Sequence, residues 1–206
     1  MTKVLLAHGS SDSSHNRQVE KLAGKVSALL DEEIDTAFLG DDSLPKGAHV
    51  LPLFLGEGTH VREDIPKLIA TSGGVLLPPL ASCADQVAAL ALEEITRETR
   101  RTNAMFVLYR FGGFEKLTTA LYGQVKACSK HALASLHSEP SVKSVLEHWQ
   151  QEGVKPISLQ PMLLFEGKSM DRLRSMTEAF DINMAPVLSG YDNFAALIAQ
   201  CFRAQP

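Results

Sequence analysis

Short apolar runs alternate with stretches of helical spacing along the whole chain. Val4-Leu5-Leu6-Ala7 has the length of a strand and leads into a small, polar loop. Over 15–32, Val19, Leu22, Ala23, Val26, Leu29 and Leu30 fall on one face of a 3.6-residue period, which predicts a helix. Strands are predicted over 34–39, 49–55 and 75–77, and helices over 61–71 and 84–98. Pro66 marks the first turn of the 61–71 helix or kinks it. Strands alternating with helices predict βαβ units and a parallel sheet.

The pattern then restarts. Met105 to Tyr109 repeats the opening strand, a helix follows over 115–128, and 133–136 is strand-like. An additional helix is predicted over 141–151, an apolar strand over 156–164, and helices over 167–179 and 191–203. Residues 51–58 align with 160–167, and Asp85-Gln86-Val87-Ala88-Ala89-Leu90 aligns with Asp192-Asn193-Phe194-Ala195-Ala196-Leu197. Matches in the same order at nearly the same offset indicate an internal duplication. The expected architecture is α/β: two tandem repeated parallel-sheet halves, doubly wound, over 1–103 and 104–206, facing one crevice.

Composition narrows the class. At 206 residues, with 45 % hydrophobic and 21 % charged positions, the chain has an ordinary globular balance and needs no disulfide or structural metal to fold. The apolar run before His8 is too short for the core of a signal peptide, and no run reaches the ~20 apolar residues of a membrane helix. Cys83, Cys128 and Cys201 lie far apart, without a Cys-x-x-Cys, which argues against a disulfide framework or a zinc finger. The expectation is a cytoplasmic protein without membrane or nucleic-acid partners, since net acidity opposes the latter. Charge is uneven: 10 basic and 15 acidic residues over 1–103, against 10 and 9 over 104–206. The second half therefore suits an anionic ligand better.

In open α/β sheets, ligands bind beyond the carboxyl ends of the strands. That rule selects His8-Gly9-Ser10 and Gly56-Glu57-Gly58-Thr59-His60 in the first half. In the second it selects Arg110-Phe111-Gly112 and Phe165-Glu166-Gly167-Lys168-Ser169. The first half offers two histidines, suited to accepting protons and to holding a divalent ion loosely. Its copy offers Arg110, matched by sequence to His8, and Lys168 beside the His60 equivalent Ser169. Strand-end position also selects His137, Asp41 and Asp42. His15, His49, His131 and His148 read as loop, helix or packing residues.

The opening VLLAHGS followed by Asn16, and LPLFLGEGTHVREDIP over 51–66, resemble the class II chelatases, more narrowly the sirohydrochlorin chelatases of the CbiX type in their two-repeat form. The resemblance covers the whole chain, with an intact first half and a degenerate second. It implies a chelatase-like fold and the insertion of a divalent metal into sirohydrochlorin. Iron, giving sirohaem, is the first expectation and cobalt, for cobalamin, the alternative; a non-catalytic tetrapyrrole or metal carrier is a further alternative. His8 and His60 fall on the family's two motif histidines, as proton acceptors and transient metal ligands. The substrate's eight carboxylates call for cations and donors, for which Arg110, Lys168, Arg172, Arg62 and Ser10 are the candidates. The glutamate that many members carry after the second strand is Gly40 here, leaving Asp41, Asp42, Glu57 or His137 to supply such a group. No permanently bound cofactor is implied; the metal is a substrate. One chain holding both halves suggests a monomer.

Overall fold

The computed structural model describes residues 2–9, 13–41, 43–97, 103–125 and 128–204. The first repeat runs β1 (Lys3–Ala7), α1 (Ser13–Leu30), β2 (Ile34–Phe38), β3 (His49–Pro52), a π-helical turn (His60–Asp64), α2 (Ile65–Ser72), β4 (Val75–Leu76) and α3 (Ala84–Thr96). The second runs β5 (Asn103–Leu108), α4 (Glu115–Gln124), β6 (Lys130–Ser135), α5 (Val142–Gln151), β7 (Ile157–Pro161), α6 (Lys168–Thr177), β8 (Ile182–Met184) and α7 (Asp192–Arg203). The predicted elements are present, many of them one to four residues shorter, while β1, β5 and β6 are longer. β8 is an addition to them.

Two four-stranded sheets form, in the orders β2-β1-β3-β4 and β6-β5-β7-β8, with every pair parallel. Past its first residue, the opening strand of each sheet, β1 or β5, is apolar throughout because both its faces are covered. Val4, Leu5, Leu6 and Ala7 are buried, as are Ala104 to Leu108. Alternation sends Val4 and Leu6 to one face, where they pack with Ile65 and Ile69 of α2. Met105 and Val107 pack likewise with Leu146 and Trp149 of α5 and with Met170 and Leu173 of α6. On α1 the predicted face is buried at Val19, Leu22, Ala23 and Val26, whereas Leu29 is exposed.

The identical strand orders bear out the duplication, but the packing does not follow the cut at 103/104. One compact unit comprises Met1–Ala84 with Asp192–Pro206, and the other Asp85–Tyr191. The last helix of each repeat thus belongs with the other repeat: α7 packs on α1, and α3 sits in the second unit. The sequence repeat marks duplicated length, whereas the units are set by which apolar helix faces each sheet gathers.

Among the described residues no helix is long and apolar enough to cross a membrane.

Candidate metal-handling site

β1 ends at Ala7, and His8 is the next residue. Gly9 then turns the chain at φ +81°, in the left-handed region, and a Cβ there would lie 3.1 Å from that of Phe38. Glycine is the residue that meets both demands. The loop after β3 begins with the Leu53 N–H bonded to the Leu6 carbonyl at 2.8 Å, so it leaves the sheet beside His8. It runs to Gly58, whose carbonyl accepts the N–H groups of Val61 and Arg62. There the chain winds as a π turn, His60–Asp64, before α2 begins with Pro66 in its first turn. Proline has no N–H to give to the carbonyl four residues back, and its ring would strike it. The wide turn relieves both problems.

The two sequence-selected histidines meet. Nε2 of His8 lies 3.2 Å from Nε2 of His60, with the rings nearly perpendicular. His60 Nδ1 donates to Asp64 Oδ2 at 2.7 Å, and His8 Nδ1 faces its neighbouring Gly9 carbonyl at 3.1 Å. These acceptors assign the Nδ1–H tautomer to both rings, so both Nε2 atoms present lone pairs to the same space. Two lone pairs at that separation repel unless a cation or a shared proton lies between them. Nitrogens bound to one metal at about 2.1 Å, with angles of ~90–109°, lie about 3.0–3.4 Å apart. The observed spacing fits that geometry. About half of the His60 and Asp64 side-chain surface is exposed, so ions and solvent reach the pair.

Strand-end position does not select Asp64. Its signal in the sequence is the four-residue spacing from His60, which puts both side chains on one face of a helical turn. Asp41 closes the turn after β2, where its carboxylate accepts the Phe38 N–H at 2.8 Å. Arg62 is exposed on the π turn, and Glu57 lies in the loop before it. Ser10 and Asp42 lie outside the described residues.

In the second unit the register corrects one assignment. The Leu39 and Leu53 N–H groups bond to Ala7 and Leu6, and Leu136 and Met162 repeat this on Leu108 and Val107. Ala7 therefore corresponds to Leu108, His8 to Tyr109, and Gly9 to Arg110. The sequence match of His8 to Arg110 is one residue out: β1 and β5 end at corresponding residues, Ala7 and Leu108, so the residues that follow, His8 and Tyr109, are the equivalent pair. Tyr109 packs against His137, with ring centroids 4.5 Å apart, and His137 follows β6 where Gly40 follows β2. The other match holds: Gly167 accepts from Met170 and Asp171 as Gly58 does from Val61 and Arg62, so Ser169 stands for His60 and Lys168 for Thr59.

The second unit's strand ends carry positive charge. On α6, Arg174 engages both Glu166 and Asp171, at 2.7 and 3.3 Å. Among the described residues no carboxylate pairs with Arg110, Lys168 or Arg172. Lys168 and Arg172 are four residues apart on one face of α6. A hollow in this unit, lined by Tyr122, Leu133, Val145 and Trp149 among others, involves none of these strand-end residues.

Solved structures share the fold. The structure of CbiX, the terminal enzyme for biosynthesis of sirohaem in denitrifying bacteria, is similar over 100 % of both chains, at 18 % identity and a TM-score of 0.81. The sirohydrochlorin chelatase SirB of Bacillus subtilis subspecies spizizenii, solved in complex with cobalt, matches 99 % of this chain and 93 % of its own, at 15 % identity and a TM-score of 0.69. A multi-domain Deinococcus radiodurans protein with structural similarity to chelatases matches 97 % of this chain and 54 % of its own, at 16 % identity and a TM-score of 0.66. No curated protein matches the sequence. The model of the CbiX family matches twice, over residues 2–126 and 109–204, and so spans almost the whole chain once per repeat. The chain belongs to the CbiX family of class II chelatases.

Proposed function

We propose that this protein is a sirohydrochlorin chelatase that inserts ferrous iron into the macrocycle to give sirohaem. The observation that carries the reading is the pair of Nε2 atoms 3.2 Å apart on His8 and His60, with Nδ1 of His60 tied to Asp64. Membership of the CbiX family and the fold shared with the sirohaem-forming CbiX support it.

The chemistry explains the residues. The ring has four nitrogens, two of which carry protons, and the metal enters as those protons leave. A pair of imidazoles holds the incoming ion by two bonds, which is few enough to release it. As the ion passes to the ring, the vacated Nε2 lone pairs accept the ring protons. The Asp64 carboxylate stabilises the imidazolium formed at His60. Arg110, Lys168 and Arg172 are assigned to the carboxylates of the macrocycle, which makes the second unit the substrate-holding one. Arginine neither accepts a proton nor ligates a metal, so those positions bind without reacting.

The test is the visible spectrum of sirohydrochlorin mixed with protein and ferrous ion. His60→Ala is expected to lower the insertion rate about 10²–10⁴-fold with little loss of sirohydrochlorin binding, the usual contribution of a general base. Turnover near that of the parent would remove His60 from the mechanism. Cobaltous ion is the alternative metal, because imidazole accepts both ions and the similar SirB was solved with cobalt. Parallel insertion assays distinguish them. Tight binding of sirohydrochlorin with no spectral change on adding either metal would favour a carrier.

A further inference from the structure

Cys83 and Cys201 are 118 residues apart in sequence, yet their Sγ atoms lie 3.3 Å apart, and both thiols are free. Both residues belong to the first unit. Cys83 ends the short 3-10 turn Leu80–Cys83, which the Ala81 N–H fastens to the Phe54 carbonyl at 2.8 Å. Cys201 lies near the end of α7, the helix held in this unit by its buried Phe194, Ile198 and Phe202. Each cysteine is half-buried, so a small oxidant reaches the sulfur.

The two thiols are unlike. The hydrogen bond from Cys201 holds the Cys83 thiol down at about 7, against the opposing effect of burial. The same bond, with burial, pushes Cys201 up. A thiolate beside a protonated thiol is the arrangement of an attacking and a resolving cysteine. The third cysteine, Cys128, is raised by burial.

We propose that Cys83 and Cys201 form a redox-active dithiol, which peroxide closes into an intrachain disulfide that fastens α7 to the turn behind the His60 loop. The Cys83 thiolate attacks one oxygen of hydrogen peroxide and breaks the O–O bond. This leaves a sulfenic acid on Cys83 and a hydroxide, which takes up a proton to become water. The sulfur of Cys201 then displaces the sulfenic oxygen, which leaves with the Cys201 proton as a second water. Two thiols and one peroxide give one disulfide and two waters, and a dithiol reductant reverses the step. Bonded sulfurs sit ~2.05 Å apart, so closure needs about 1.2 Å of approach. The loop so closed contains the entire second unit. The proposal rests on the placement of the thiols and not on the metal reading above.

The test treats the full chain with a small excess of hydrogen peroxide near neutral pH, blocks remaining thiols with N-ethylmaleimide, and digests without reduction. The expected result is a cross-linked pair of peptides carrying Cys83 and Cys201, with Cys128 alkylated, a higher Tm, and reversal of both by dithiothreitol. Cys201→Ser should instead trap a sulfenic acid on Cys83 that reacts with dimedone, and its Tm should no longer rise on oxidation. Alkylation of all three cysteines after peroxide, or a cross-link that uses Cys128 or joins two chains, would overturn the proposal.

Discussion

The far nitrogen of a histidine is aimed when the near one is already hydrogen-bonded. Asp64 does this for His60 at 2.7 Å. The carboxylate fixes the tautomer, orients the ring and raises the basicity of the far nitrogen. Asp64→Ala is therefore expected to weaken binding of ferrous or cobaltous ion ~10–100-fold, while His60 itself remains. Isothermal titration with the metal alone reads this, and unchanged affinity would leave Asp64 without a role at the ligand. Cys83 is governed by the same logic of neighbours. The Cys201 hydrogen bond stabilises its thiolate and lowers its pKa to about 7, so the thiolate fraction grows as pH rises through that value. Its rate of alkylation by iodoacetamide should rise through pH ~7 and level off above it. Cys128, raised by burial, should stay slow over the same range. In Cys201→Ala the Cys83 midpoint should move upward; a midpoint that stays put would mean that the hydrogen bond is not its cause.

At the scale of elements, apolar runs and helical spacing locate nearly everything, because β1 and β5 are buried on both faces and the helices carry one apolar stripe each. What escapes them has a physical reason in each case. β8 is three residues, Ile-Asn-Met, with a polar centre, and it exists only by pairing with β7. The Arg110 match slips because no spacing within a strand reports its register; that is fixed by hydrogen bonds such as Met162 to Val107. Asp64 lies inside the segment that identifies the family, but its role needs a helical turn at 60–64. The two histidines are legible because each follows a strand that the fold aligns in parallel with the other. The pairing of Cys83 with Cys201 is not, since it depends on α7 joining the first unit. One buried polar contact distinguishes the second sheet from the first. Gln160, fully buried on β7, donates to the carbonyls of Pro161 and Pro186 and accepts from the Tyr191 hydroxyl at 2.5 Å. Leu51 fills the matching place on β3. Burial, with the charge of Glu94 adding to it, pushes the Tyr191 hydroxyl up to about 12, so it remains a donor across the range in which the protein is handled. Tyr191→Phe leaves the Gln160 carbonyl oxygen without that donor and should cost ~1–3 kcal/mol in chemical denaturation. Pairing it with Gln160→Leu should recover part of the loss, as an apolar pair like the first sheet's would.

For the molecule as a whole, the exchange of closing helices makes the first unit discontinuous in sequence, whereas the second is the single segment Asp85–Tyr191. The first unit carries His8 and His60 just beyond its opening strands, yet it is completed by the final helix of the chain. Phe194 on α7 and Phe106 on β5 are both fully buried, one in each unit. Truncating either to alanine should cost ~3–5 kcal/mol, the usual loss for a buried phenylalanine. Where that loss is felt should differ, because local opening follows the packing unit and not the distance along the chain. Phe194→Ala is expected to speed amide hydrogen exchange in β1 and β3, some 140 or more positions away in sequence, and to weaken metal binding at the histidine pair. Phe106→Ala should speed exchange in β5 and β7 and leave the histidine pair's affinity for the metal alone largely intact. Equal deprotection of both sheets by either variant would mean that the two units open as one. Deprotection confined to the second repeat in Phe194→Ala would mean that α7 packs with its own repeat after all.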